Sequence, residues 1–162
     1  MIPPPTYIYH ITHVNNLPQV LAAGGLQTCR TLRAAQTSYT DIAYQTLQDS
    51  RAHTVVPCAV GGTLHDYVPF YFAPRSPMLF IISKRHYPQH QEGQTPIVYL
   101  VSTVEQVHQA GGNFAFTDGH RVMALTNFYD DLSKLDRVDW QIMGAKYWRD
   151  TLADNDRKRR RQ

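Results

Sequence analysis

The chain has 162 residues, 43% hydrophobic and 18% charged, with 16 Lys+Arg against 13 Asp+Glu. That length and balance fit one globular domain with a real core and exclude a disordered chain. No apolar run approaches the roughly 20 residues a membrane span needs, and MIPPPTYIYH lacks the basic and apolar regions of a signal peptide. Two cysteines, Cys29 and Cys58, make neither a disulfide framework nor a metal set. A reducing cytoplasmic setting is the expectation.

In chain order, Tyr7 to Thr12 is aromatic and β-branched and reads as a strand after Pro3-Pro4-Pro5. Asn15 and Asn16 cap a short helix through Leu17, Val20 and Leu21, ended by Gly24-Gly25. From Ser38 to about Arg51, the spacing of Ile42, Tyr44 and Leu47 predicts a helix face. Gly61-Gly62 marks a turn. Tyr67 to Phe72 reads as a strand, with Phe70 and Phe72 as core aromatics by default, and Ser76-Pro77 as a helix start.

Pro96 to Val101 is the clearest buried strand, and Ser102 with Glu105 forms a capping box for a short helix reaching Gly111-Gly112. Phe114 to Thr117 and Arg121 to Thr126 suggest two more strands. A helical part follows through Trp140, Ile142, Tyr147 and Trp148. Strands and short helices interleave without a regular βαβ rhythm, so the fold class expected is α+β with a mixed sheet.

Few short motifs carry chemistry alone. His10 and His13 in HITH fall on opposite faces of a strand, so a shared metal is not expected, and no cluster of cysteines or carboxylates completes a site. His10 and Thr12 share a face and offer two polar groups to a ligand. Neither GxGxxG, GxxxxGK[ST] nor GxSxG occurs. GGTLHDYVPFYFAPRSPMLF crowds His65, Asp66, Tyr67, Phe70, Tyr71, Phe72 and Arg75 between turn residues, and aromatics beside arginine can stack bases or a nicotinamide ring. FTDGH presents His120 on a loop. Arg157, Lys158, Arg159, Arg160 and Arg161 run consecutively; without these five the balance is 11 basic to 13 acidic, a net of −2. The basic character is therefore local, a plausible phosphate contact or a solvated segment.

Taken together, IYHITHVNNL, HDYVPFYFAPRSPML, FAFTDGH and LDRVDWQIMGAKYW leading to DNDRKRRRQ resemble the DarT family, NAD-dependent DNA ADP-ribosyltransferase toxins, in order and over essentially the whole chain. The resemblance implies one ADP-ribosyltransferase-like domain over 1–162, a split mixed β-sheet with flanking helices. It implies transfer of ADP-ribose from NAD to a thymidine base in single-stranded DNA, with nicotinamide released and no metal required. A macrodomain antitoxin is the implied protein partner.

By the same resemblance, Tyr9, His10, Thr12, Asn16 and Tyr71 bind NAD, and Arg51 is the essential arginine. Met78 and His120 approach the acceptor nucleotide, and Arg157 to Arg161 follow the DNA backbone. In the family the basic run leads into a strand whose Gln-x-Glu element carries the catalytic glutamate. The expectation is that this carboxylate and the closing strands fall after Gln162, and that residues 1–162 alone have little transferase activity. The competing expectations are a non-catalytic single-strand-binding module, which has no reason to bind NAD, and a transferase acting on RNA or protein.

Overall fold

The computed structural model describes residues 2–85, 91–119 and 126–161. Its first strand, β1 (Tyr7–His13), runs into a tight 3-10 turn over Val14–Asn16 and helix α1 (Leu17–Ala22). Gly24 closes α1 at φ +74°, a left-handed conformation that glycine adopts without steric cost. Helices α2 (Cys29–Ala34), α3 (Gln45–His53) and α4 (Pro77–Ser83) follow. Strand β2 (Ile97–Thr103) leads directly into α5 (Val104–Gln109). Strands β3 (Phe116–Thr117) and β4 (Phe128–Tyr129) are short, and α6 (Trp140–Gly144) and α7 (Arg157–Arg160) complete the elements. Among the described residues no helix is long and apolar enough to cross a membrane.

The β structure is split as expected for an α+β fold. β1 pairs antiparallel with β2, from Tyr7 opposite Thr103 to His13 opposite Ile97. A second sheet pairs β3 with β4. The core is divided in the same way. Ile11, Ile42, Leu79 and Ile82 pack together under β1, with Tyr71, Met78 and Ile97 against them. Ala73, Phe116, Leu135, Val138, Ile142 and Met143 form the other cluster, which Phe72 and Trp140 join.

Several elements differ from the sequence expectation. Tyr67 to Phe72 is not a full strand; it meets β1 through one bridge, in which Tyr9 and Tyr71 exchange backbone bonds of 2.8 and 2.9 Å. Pro69 within the run has no N–H to give a ladder, which limits pairing to the residues beyond it. Phe72 is a core aromatic as expected, but Phe70 is exposed and sets its ring 5.6 Å from His10.

The helix expected from Ser38 begins only at Gln45, because side chains hold the segment before it in an irregular path. Asn16 binds Thr40, and Asp41 accepts from the Ala43 N–H and from Gln48. The capping box also shifts. Thr103 caps α5, and Glu105 reaches to the Thr6 backbone N–H instead, at 3.0 Å. Tyr147 and Trp148 lie beyond the end of α6. Helix α2 was not anticipated, although Thr28 caps it through the Thr31 N–H in the ordinary way. The strand expected at Arg121 to Thr126 falls almost wholly outside the described residues.

Candidate functional site

The site is built where β1, α3 and the segment around Tyr71 meet. Successive β1 side chains alternate faces, so His10 and Thr12 share one face and Tyr9 takes the other. Tyr9 accordingly packs near Tyr7 and, edge to face at 6.1 Å, against Tyr99. Of the residues expected to bind NAD, Tyr9 therefore faces away from His10 and Thr12. Tyr71, its antiparallel partner, shares the Tyr9 face.

His10 places Nδ1 2.8 Å from the Pro69 carbonyl oxygen. A carbonyl only accepts, so Nδ1 carries the proton and Nε2 is left as the acceptor of the neutral ring. Burial lowers the His10 pKa; the Pro69 bond opposes this, and the nearby Arg51 charge adds to the lowering. His10 is therefore neutral near pH 7.

Arg51 lies in the last turn of α3 and donates from Nη2 to the Leu64 carbonyl at 3.0 Å. Burial lowers its pKa, while the charges of Tyr71, Cys29 and Asp41 work to raise it. Among the described residues it forms no ion pair. A guanidinium with one backbone acceptor and no carboxylate partner retains donors for an incoming anion or carbonyl. Tyr71 has its phenol pushed up by burial, partly offset by Arg51 and by a hydrogen bond with Ser76, so it stays protonated.

Thr12 and Asn16 are each 8% exposed. Asn16 donates to the Thr12 hydroxyl and to the Thr40 carbonyl, both at 2.9 Å, and accepts from the Thr40 N–H at 2.8 Å. This pair fastens the segment before α3 onto β1. Met78 packs against the cluster that holds Tyr71. His120 lies outside the described residues.

One residue beside Arg51 was named from sequence only as part of a crowded run and given no role. His65 is 4% exposed in the 3-10 turn Leu64–Asp66, next to the carbonyl that Arg51 uses. Burial, then the charges of Arg33, Arg51 and Arg30, hold its pKa below the ordinary value. Arg30 itself is tied to Asp66, whose carboxyl falls well below the usual range for that reason. The signal was the unforeseen helix α2, which carries both Arg30 and Arg33.

The basic run forms α7 and is largely paired internally. Arg157 donates to the Tyr147 carbonyl, Lys158 lies 3.5 Å from Asp150, and Arg159 binds Asp156 at 2.7 Å. Arg160 bridges Asp139 and Asp154. Arg161 is 1% exposed and donates to the carbonyls of Arg75, Ile142 and Met143. Two carbonyls of that set lie at the C-terminal end of α6, where a cation is favoured by the helix dipole. Only Lys158 combines a surface position with a single, loose acidic partner. Two cavities of about 430 and 230 Å³ are lined by residues of this region, such as Trp140 and Gln141, and not by His10, Arg51 or Tyr71. Among the described residues no group of three or more His, Cys, Asp or Glu could hold a metal.

The fold thus sets a neutral His10 on β1 and, within electrostatic reach of it, Arg51 with no acidic partner among the described residues, both with hydrogen-bonding capacity left for a ligand. The profile of the ssDNA thymidine ADP-ribosyltransferase family, DarT, matches residues 9–162. The chain belongs to that family. A DNA ADP-ribosyl transferase from Thermus sp. (strain 2.9) is 46% identical over 148 residues, covering 91% of this chain and 69% of that protein. The structure of Thermus sp. 2.9 DarT in complex with ADP-ribosylated ssDNA superposes with a TM-score of 0.84 at 42% identity, covering 96% of this chain and 73% of that one. The same DarT in complex with NAD+ gives 0.78 at 40% identity, covering 98% and 74%. The chain spans about two thirds of the length of the curated relatives it matches.

Proposed function

We propose that the protein transfers ADP-ribose from NAD to a thymidine base of single-stranded DNA, and that His10, Arg51 and Tyr71 handle the NAD. The observation that carries this is Arg51: a half-buried guanidinium with no acidic partner among the described residues, beside a neutral His10 and a protonated Tyr71. It agrees with relatives solved with NAD+ and with ADP-ribosylated ssDNA.

In this account the bond from the ribose C1′ to the nicotinamide nitrogen breaks, with the electron pair leaving on nicotinamide. A thymine ring nitrogen forms the new bond to C1′ and gives up its proton to solvent water. Arg51 pairs with the NAD diphosphate or with the thymine carbonyl, where its charge favours the base as it loses that proton. His10 accepts from a ribose hydroxyl through Nε2, and Tyr71, on the other face of β1, acts on the NAD through Arg51, whose charge it faces. Thr12 and Asn16 act by holding the wall formed by 38–44. Met78 and His120 approach the acceptor nucleotide, and Arg157 to Arg161 form a buttress from which Lys158 reaches the DNA backbone. Unpaired substrate avoids the cost of extruding a base from a duplex.

The chain's span of its relatives makes this activity a proposal for the whole protein. A cytoplasmic toxin role, with a macrodomain protein as antitoxin, belongs to the same proposal and rests on the family resemblance. The test is incubation of this chain, and of a version extended to the relatives' length, with NAD and a thymidine-containing single strand, followed by mass measurement of the DNA. One added ADP-ribose with the extended version, lost on Arg51→Ala, supports the proposal. Modified RNA or protein with unmodified DNA reassigns the acceptor.

A further inference from the structure

The surface beyond α4 holds a feature the site does not use. Leu79 and Ile82 bury one face of α4, and the opposite face carries Phe80, 51% exposed. Lys84, one turn on, sets its ammonium 4.9 Å from the centre of the Phe80 ring. Trp148 meets the same ring edge to face at 5.9 Å. Its neighbour Tyr147 is 75% exposed, with the Lys146 ammonium 5.4 Å from its ring centre. Among the described residues neither lysine forms an ion pair. The nearby Asp150 is taken up by Lys158, at 3.5 Å from its ammonium and through the Lys158 N–H.

We propose that Phe80 and Tyr147, with Lys84 and Lys146, form a platform for nucleotides flanking the acceptor thymidine. This rests on the acceptor being single-stranded DNA. Two exposed rings, each with an ammonium over one face and, among the described residues, no ion pair for that ammonium, match the alternation of base and phosphate along an unpaired strand: the free ring faces take bases, the ammoniums take phosphates. The charge selects this occupant over an apolar peptide, since burying two lysines without an acidic partner would oppose a dry protein contact. The platform also adjoins the site in the chain. Met78, which packs against the same core cluster as Tyr71, lies two residues before Phe80 on the same short helix, whose breadth of about 10 Å is one that a strand of a few nucleotides crosses.

The test is fluorescence anisotropy of a labelled oligothymidylate of about twelve nucleotides, within the usual span of single-strand sites. It uses the wild-type chain, Phe80→Ser, Tyr147→Ser and the double variant Lys84→Gln/Lys146→Gln, each checked for an unchanged melting temperature. The platform predicts about tenfold weaker binding for each aromatic change. It predicts a slope of log affinity against log salt reduced by about 0.7 per lysine removed. Stabilisation of the fold by NAD should be unchanged in all of them. Wild-type affinity in every variant overturns the platform and leaves the proposed function standing. Loss of self-association with unchanged DNA binding also overturns it, assigning the patch to contact between copies. A wild-type chain that NAD stabilises but that binds no single strand overturns the platform and the DNA acceptor together.

Discussion

Asn16 and Thr40 exchange two hydrogen bonds, Nδ2 to the Thr40 carbonyl at 2.9 Å and the Thr40 N–H to Oδ1 at 2.8 Å. The amide side chain stands in for a strand neighbour and fastens the irregular segment before α3 to the end of β1. Asn16→Ala removes both bonds and leaves Thr40 backbone groups unpaired, at a cost of about 1–3 kcal/mol. Asn16→Asp keeps the acceptor but loses the donor and should fall between. Urea melts measure the cost, and limited proteolysis should show new cleavage near residues 38–44 in Asn16→Ala only.

Arg51 should behave as a residue kept for function. Its charge is buried against one carbonyl, so Arg51→Met removes a desolvated cation and fills the space with apolar atoms. The melting temperature should hold or rise, while transferase activity in the version extended to the relatives' length falls by about 100-fold or more. Arg51→Lys should recover little, because the point charge lacks the planar fork. A large drop in melting temperature for Arg51→Met would show a structural role instead.

The histidines give the fold an acid limit. His10 and His65 are both held below the ordinary value of 6.5, chiefly by burial. The unfolded chain therefore binds more protons than the folded one as pH falls through that value. Their stabilisation is complete above about pH 6.5 and is lost progressively below it. The paired carboxylates, such as Asp154 and Asp156, act in a lower window, since their depressed values are lost only below about pH 4. Melting temperatures from about pH 7 to 5 should fall in the wild type and flatten in His10→Gln/His65→Gln. Parallel curves would refute the assignment.

Within the basic run, residues should divide by burial. Arg161→Ala strands three carbonyls at the junction of α6 with the Arg75 segment and should lower stability by several kcal/mol. Lys158→Gln loses one exposed ion pair and should change stability by less than about 1 kcal/mol. Its effect belongs in the salt dependence of DNA binding. Calorimetric melts of the two variants check this division.

How far the sequence spoke depended on the source of each signal. Aromatic and β-branched composition located β1, an apolar run located β2, and Ser76-Pro77 marked α4, because those signals are local; β2 is nonetheless not a buried strand, since Tyr99 and Val101 are exposed. Helix α3 was foreseen but begun too early, since the bonds of Asn16 to Thr40 and of Asp41 to Gln48 compete with helix over 38–44 and come partly from the distant turn after β1. Helix α2 has a plain Thr28 cap but no apolar stripe, so periodicity passed over it, and with it Arg30, Arg33 and the setting of His65. Tyr9 was assigned to NAD with His10 and Thr12 by family resemblance, which carries no information on faces; the pleat sets Tyr9 on the face opposite His10. The pairing of Arg159 with Asp156 is local, three residues apart, and was open to a sequence reading, whereas Asp139 and Asp150 are brought to Arg160 and Lys158 only by the fold.

The most direct test of the central claim is the intact mass of a thymidine-containing single strand after incubation with NAD and the protein extended to its relatives' length. The account predicts a gain of one ADP-ribose on the DNA, absent with Arg51→Ala although that variant stays folded. An unmodified strand in the presence of a folded protein that binds NAD would contradict it.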